Sequence, residues 1–391
     1  MTSTELARKR VLVLGPALKA LADQALEGAR IETIDTDRAK ALEALHPALD
    51  LVLMDADAAG PELTREVIET LAGRPKGPGV LLIGAHLSAG LVRALLKLDR
   101  SDVLEAPLAA AELTKAAIAV LARPGDEGSD RPACRCWSVL GSVGGSGATT
   151  VAIELAALLS KKASKPGAVA MVDLNLAYGA AHAYLGGGAN MRLGEASRSP
   201  ERIDASMLDA FAYRVDAGFD LFAAPRDPMA FDRVSSAAVL KVLEMACQNY
   251  EAVIVDLPRF RYPWTLDVLG GSDETLIISE LTVPALLSAQ AFANEIEADA
   301  PGGRKPRLIL NRIASRPFGP APSRAEAEKA LGRKVDGAIT SDWEAAACSV
   351  NLGGPISQHR PKSKIVKDVA SIIDRLTFEA SRTPDRMSRI A

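Results

Sequence analysis

The sequence predicts an α/β protein of two domains, a five-stranded parallel sheet followed by a mainly parallel sheet with helices on both faces. Three observations carry this. Over residues 1–122, short apolar runs alternate with amphipathic stretches in a regular β-then-α rhythm. Beyond a polar break, Trp137-Ser-Val-Leu140 leads through a glycine-rich turn into a helical pattern. Further apolar runs, several ending in Asp or Asn, recur at spacings too long for hairpins. Continuous apolar runs suit strands buried on both faces, as parallel sheets require.

Composition sets the bounds. A chain of 391 residues holds two or three domains, and 48% apolar content can fill a large core. With only 4% aromatics, that core is built mainly of Ala, Leu, Val and Ile. The formal net charge of −3 gives no global attraction to nucleic acid. Cys134, Cys136, Cys247 and Cys348 form no disulfide-like framework, which suits a reducing compartment. Cys134-x-Cys136 lacks a second pair or a nearby histidine to complete a metal site. The opening MTSTELARKR has no apolar signal region, and no stretch is long enough to span a bilayer. A cytoplasmic location is the expectation.

In the first domain, strands are expected at 11–14, 31–34, 51–54, 80–83 and 102–104. Helices are expected at 18–26, 38–45, 62–71, 87–98 and 110–121. This length and rhythm resemble a receiver domain of the flavodoxin-like class. Asp55, at the end of the third strand, matches that family's phospho-acceptor. The family's other site residues do not match. Gly15-Pro16 stands where an acidic pair would hold Mg²⁺, and Ala106-Pro107 where a lysine precedes proline. Phosphoryl transfer without those groups leaves developing charge unstabilised. A pseudo-receiver of residues 1–122 is expected, with protein contact or simple spacing as its work. Residues 123–136, RPGDEGSDRPACRC, read as a linker.

The second domain is expected over 137–378, with a polar tail at 379–391. Gly144, Gly145, Ser146, Gly147, Ala148, Thr149 and Thr150 form a strand–glycine loop–helix junction, the layout of a phosphate-binding loop. Glycines there free backbone N–H groups to face an anion at the helix N-terminus. Thr149 takes the position of the hydroxyl that binds Mg²⁺. The usual loop lysine is absent, since that position is Ala148. A charge-assisted hydrogen bond is worth roughly 1.5–3 kcal/mol, so its loss weakens binding about 10- to 100-fold. A purely structural glycine turn remains the alternative. Downstream, 168–173 is a strand ending in Asp173, and 250–258 an apolar strand carrying Asp256 in a Walker B pattern. Asp256 can hold the Mg²⁺ water shell. Strands at 276–279 and 308–311 follow, and Asn311 offers its amide to a base edge.

These motifs together resemble the CpaE/TadZ branch of the ParA/MinD ATPases, over nearly the whole chain. Ala148-Thr149-Thr150 is similar to that branch's small residue before Thr-Thr, and Asp173-Leu-Asn-Leu-Ala-Tyr-Gly179 to its Asp-Leu-Asp-Leu-x-Phe-Gly. Glu201–Asp204, Gly218–Pro225, Val255–Pro258, Leu310–Arg312 and the stretch from Ser341-Asp342 to Gly354-Pro355 fit its later sections. The resemblance implies a P-loop NTPase-like (ParA/MinD) second domain and a role in assembling and placing Flp/Tad-type pili. It implies ATP with Mg²⁺ as a weakly held cofactor, Thr149 and Asp256 at the metal, and Asp173 orienting water. Two departures stand against hydrolysis: Val143 replaces the family's signature lysine, and Asn175 the second acid of its Asp-x-Asp pair.

The leading expectation is therefore an ATP-binding or pseudo-ATPase scaffold. The alternative is an active ParA/MinD-type switch that positions or partitions cargo. A homodimer indifferent to nucleotide is expected, with pilus or secretion components as partners and no specific nucleic acid. Arg259, Arg261, Arg304, Lys305 and Arg307 read as solvated charges rather than a DNA-binding stripe. Ile365, Val366, Val369, Ile372, Ile373 and Leu376 form a helical stripe expected to pack on the sheet. Membrane contact, at a cell pole or the inner face of the membrane, is expected only through partners.

Overall fold

The computed structural model describes residues 9–46, 48–72, 77–85, 87, 91, 95, 98, 100–122, 134–299, 305–314 and 323–382. Most of the helix expected over 87–98, most of the linker expected over 123–136, most of the tail expected over 379–391, and Arg304 lie outside those residues. The chain divides into two compact units, Met1–Ala133 and Cys134–Ala391.

The first unit holds strands β1 (Arg10–Leu14), β2 (Arg30–Ile34), β3 (Leu51–Asp55), β4 (Gly79–Gly84) and β5 (Ser101–Glu105). They form an all-parallel sheet in the order β2-β1-β3-β4-β5, one of the common doubly wound orders. Side chains alternate between faces, as the period of a strand demands. Val11, Val13, Leu51, Leu53 and Leu81 pack with helix α1 (Lys19–Ala25) and the last helix of the unit. Leu12, Leu14, Val52, Met54, Val80 and Leu82 pack on the opposite face with α2 (Arg38–Glu43) and α3 (Ala56–Ala72). The last helix, α4 (Ala110–Ala122), is tied to α1 by Thr114, whose hydroxyl donates to the Ala25 carbonyl at 2.7 Å.

Helix α3 follows β3 directly but is interrupted at Gly60, whose φ 73° and ψ 167° are non-helical, so its longer segment begins at Pro61, where the sequence places a helix over 62–71. Gly15 has φ 117°, and a Cβ there would lie 2.6 Å from the Asp55 Cβ. The position that would carry a Mg²⁺-binding acid is thus packed against Asp55 itself.

The second unit has β6 (Arg135–Gly141), α5 (Ala148–Ser160), β7 (Val169–Asp173), β8 (Tyr213–Val215), β9 (Phe219–Ala223), α6 (Ser236–Asn249) and β10 (Ala252–Leu257). There follow β11 (Glu274–Glu280), α7 (Val283–Asp299), β12 (Arg307–Ile313), α8 (Arg324–Leu331), β13 (Gly337–Thr340), α9 (Trp343–Leu352) and α10 (Lys364–Arg382). The eight-stranded sheet runs β13-β12-β11-β6-β10-β7-β9-β8 and is parallel except for the edge pair β8–β9. Helices α5 and α10 cover one face, through Trp137, Val139, Met171, Ile254, Ile278 and Ile309. Helices α6, α7 and α8 cover the other, through Leu140, Val172, Val253, Val255, Ile277 and Leu310. The expected stripe on α10 is buried, with Val369 and Ile373 fully so. Such side chains contribute about 2–5 kcal/mol each against truncation to Ala.

One buried carboxylate ties α5 to the far part of the chain. Glu154 is fully buried and accepts from the Ser357 N–H at 3.1 and 3.2 Å. Burial raises its pKa, and the backbone N–H groups of Ser357 and Ile356 offset part of that rise.

Candidate functional site

Strand order reverses around β6. Strands β10, β7, β9 and β8 lie on one side of it and β11, β12 and β13 on the other. In open parallel sheets the crevice beyond the strand ends at such a point is where ligands bind. The loop of residues 142–147 sits there, between β6 and α5.

The loop is held from both flanks. Ser142 donates its N–H to the Ile278 carbonyl at 2.9 Å and its hydroxyl to Ser279 Oγ at 3.0 Å. Ser288 Oγ on α7 donates to the Ser142 carbonyl at 2.6 Å. On the other side, Asn311 Nδ2 at the end of β12 donates to the Ser146 carbonyl at 2.7 Å. Gly147 adopts φ 91° as the N-cap of α5, with the Asn311 amide packed where a Cβ would stand. No side chain caps that helix start. Its first-turn N–H groups lack intrahelical partners and present partial positive charge. The 13-residue helix α5 thus aims an anion-binding terminus at the crevice.

Thr149, in the first turn of α5, donates its hydroxyl to Asp256 Oδ2 at 2.7 Å. Asp256 lies on β10 in register with Asp173 on β7. Both carboxylates are nearly inaccessible. Burial raises the pKa of each, and for Asp256 the charge of Asp173 adds to the rise. The Thr149 hydrogen bond opposes the rise at Asp256. At Asp173 the opposition comes from the N–H groups of Asn175 and Ala181 and from the charge of Arg226. A buried carboxylate at a cavity wall beside a hydroxyl is a donor set that a hard divalent cation would complete. Thr149 and Asp256 therefore fit Mg²⁺ in chemistry.

A cavity of about 380 Å³ opens over this group, lined by residues 143–150, Asn175, Tyr178, Asp256, residues 257–260 and Arg312. A second, of about 650 Å³, is lined by Asn311, Thr340, Asp342 and Trp343 among others. Gly147, Thr150, Tyr184 and Arg312 line both.

The sequence candidates thus separate. Gly144, Gly145, Ser146, Gly147, Ala148, Thr149, Thr150 and Asp256 all face the first cavity, and Asn311 faces the second. Asn311 already spends one amide hydrogen on Ser146, and its Oδ1 accepts from the Arg312 N–H at 2.8 Å. Asp173, expected to orient water, does not line the cavity. Its Oδ1 accepts from Asn175 N–H at 3.0 Å and its Oδ2 from Ala181 N–H at 3.3 Å, so it shapes the 175–181 loop.

Two residues at the cavity gained no phosphate role from the sequence. Arg259 follows Asp256 by three positions and Arg312 follows Asn311 directly. Both stand shortly after an apolar run, Arg259 two residues past β10 and Arg312 next to last in β12. Arg312 has φ 56° and donates to Glu280 Oε1 at 2.6 Å. Of the other arginines read as solvated, Arg261 pairs with Glu295 at 2.9 Å and lies over the Phe292 ring, and Arg307 pairs with Glu274 at 3.1 Å.

Sheet order, glycine loop and buried carboxylates define a mainly parallel α/β unit with its crevice at the point where strand order reverses. No protein-family model and no curated protein matches the chain. Solved structures do match in fold. A ParA family ATPase from Chlorobium tepidum TLS is 24% identical, with TM-score 0.56 over 63% of this chain and 98% of that one. The cell division ATPase MinD of Pyrococcus furiosus is 18% identical, with TM-score 0.52 over 62% and 99%. The septum site-determining protein MinD of Pyrococcus horikoshii OT3, complexed with Mg-ADP, is 17% identical, with TM-score 0.52 over 63% and 97%. The fold is that of the ParA/MinD ATPases. Among the described residues, no helix is long and apolar enough to cross a membrane.

Proposed function

We propose that the chain is a nucleotide-binding scaffold with a degenerate phosphate loop, binding ATP weakly with Mg²⁺ and turning it over near background. The observation that supports this is the Thr149–Asp256 hydrogen bond beneath a loop whose positions 143 and 148 are Val and Ala. The first-turn N–H groups of α5 bind the phosphates, Thr149 and Asp256 hold Mg²⁺, and the second cavity takes the base. When bound, Mg²⁺ neutralises phosphate charge. Without a loop lysine, too little preorganised charge faces the transferred group for fast hydrolysis. Calorimetric titration with ATP and Mg²⁺, run beside a phosphate-release assay, tests the reading. Weak binding with background release is expected, and robust release overturns it.

The cellular role we assign is assembly and placement of a Flp/Tad-type pilus, on the cytoplasmic side at a cell pole, with the membrane reached through partners. Its support is the motif resemblance from Asp173 to Pro355. The first unit, residues 1–122, acts as a pseudo-receiver in protein contact. A homodimer is supported by exposed apolar residues: Tyr178 and Phe260, which line the cavity, and Val283 and Leu287 on α7, the helix whose Ser288 holds the loop. A Mg-ADP complex of one MinD and a MinC:MinD complex from Aquifex aeolicus, TM-score 0.51, are the fold-level precedents for nucleotide and for a protein partner. A pole-specific fluorescent fusion signal that vanishes on deleting the pilus genes tests the cellular part.

A second reading, the active switch, is favoured by Arg259, which brings positive charge to the same cavity.

A further inference from the structure

We propose that Arg259 supplies, from the end of β10, the cationic contact to phosphate that positions 143 and 148 lack. The inference rests on the reading of the cavity as a nucleotide site and names the residue that replaces the loop lysine. A phosphate cradle made only of backbone N–H groups carries partial charges. A polyphosphate brings several full negative charges, and some full positive charge is needed opposite them. Val143 and Ala148 supply none.

Arg259 lines the same cavity as Thr149 and Asp256. It is exposed, and its guanidinium lies 5.1 Å from the centre of the neighbouring Phe260 ring. Among the described residues no carboxylate pairs with it, whereas Arg261 is held by Glu295 and Arg312 by Glu280. Among the described residues its charge is therefore uncompensated, and it stands in the cavity lining. Arg312, the other arginine on that wall, already has its charge balanced by Glu280 at 2.6 Å. Pro258 restricts the backbone between the buried end of β10 and Arg259. A planar guanidinium binds phosphate oxygens in pairs and keeps its charge at any accessible pH. The ligand class follows: nucleoside di- and triphosphates, in preference to a monophosphate.

The test uses the full chain, with ATP and AMP as probes in the presence of Mg²⁺, and titrates Arg259→Ala, Arg259→Lys and the double variant Arg259→Ala/Ala148→Lys. Arg259→Ala is expected to weaken ATP binding about 10- to 100-fold, with a much smaller effect on AMP and an unchanged melting temperature. Arg259→Lys keeps part of the affinity, and the lysine at 148 restores it in the double variant. An ATP affinity for Arg259→Ala within about twofold of the unaltered protein overturns the inference, as does an equal loss for AMP and ATP. Either result leaves the nucleotide site standing. No ATP binding by the unaltered protein removes the site, and this role of Arg259 with it.

Discussion

The hydroxyl of Thr149 and the carboxylate of Asp256, 107 residues apart in sequence, meet at 2.7 Å and join the first turn of α5 to the end of β10. The bond links the loop to the strand that carries the acid. Asp256→Ala and Thr149→Ala are each expected to lower Mg²⁺-dependent ATP affinity roughly 10-fold or more. Calorimetry with and without Mg²⁺ checks this: binding by Asp256→Ala that still responds to Mg²⁺ refutes the assignment.

Ala148 opens α5 at the place of the usual loop lysine. Ala148→Lys is expected to tighten ATP binding about 10-fold, with phosphate release still slow because Val143 and Asn175 are unchanged. Competition titration decides it, and unaltered affinity would mean that the loop lacks the assumed shape.

Self-association is expected to be indifferent to nucleotide, because Val143 is apolar and Phe260 at the same cavity and Val283 and Leu287 on α7 are exposed. Sedimentation at several concentrations, with and without ATP, reads this directly. A dimer that forms only with ATP contradicts it.

Asp55 should not accept a phosphoryl group from small phosphodonors in the presence of Mg²⁺. Gly15 lies against it so closely that an added Cβ would come within 2.6 Å, and the Asp55 Oδ1 already accepts from the Ala58 N–H at 3.0 Å. Intact mass showing an adduct that Asp55→Asn abolishes would sink this. Gly15→Asp, which restores an acid, is expected to destabilise the first unit by about 1–3 kcal/mol, since φ 117° is strained for any side chain.

Glu154 gives a pH signature. Its pKa in the folded protein is raised from 4.5, mainly by burial. The folded state therefore holds its proton more tightly, and this contribution is present below about pH 4.5 and lost as pH rises through the folded value. Glu154→Gln removes the charge and keeps an acceptor for the Ser357 N–H. Its melting temperature relative to the unaltered protein should rise between about pH 4.5 and neutrality. A constant offset across that range would rule the cause out.

Much of this architecture is legible in the residues themselves. The strands around Val11, Leu51, Val80, Val139, Val172, Val255 and Ile277 are uninterrupted apolar runs, and only burial on both faces produces such runs. Strand β9 escaped notice because Asp220 interrupts it. That carboxylate is buried yet satisfied by Arg214 and by the Tyr250 hydroxyl at 2.6 Å, partners that only the fold supplies. Strand β13, Gly337-Ala-Ile-Thr340, carries a single large apolar side chain and gives no periodic signal. At the site, the glycine loop, Thr149 and Asp256 could be read from spacing. The positions of Arg259 and Arg312 could not, because strand order alone decides which strand ends share a crevice. Asp173 has the same strand-end signature and the same burial as Asp256, and only the fold separates them: Asp256 takes the Thr149 hydroxyl at the cavity, and Asp173 takes the N–H groups of Asn175 and Ala181.

The short antiparallel strand β8 has a consequence for how copies of the chain can meet. An exposed sheet edge is a template on which another molecule can add a strand and propagate a fibre. Here one margin ends in three residues, and Arg214 at its centre ion-pairs with Asp209 at 2.5 Å and with the buried Asp220. A foreign strand docking there would gain only three residues of pairing, beside a charged side chain. The other margin, β13, is four residues long and its Thr340 N–H is already taken by Asp368 on α10 at 2.7 Å. Backbone pairing along either border of the eight-stranded sheet is thus short or already occupied, which favours association of this unit through surfaces made of side chains, where partner choice can be specific.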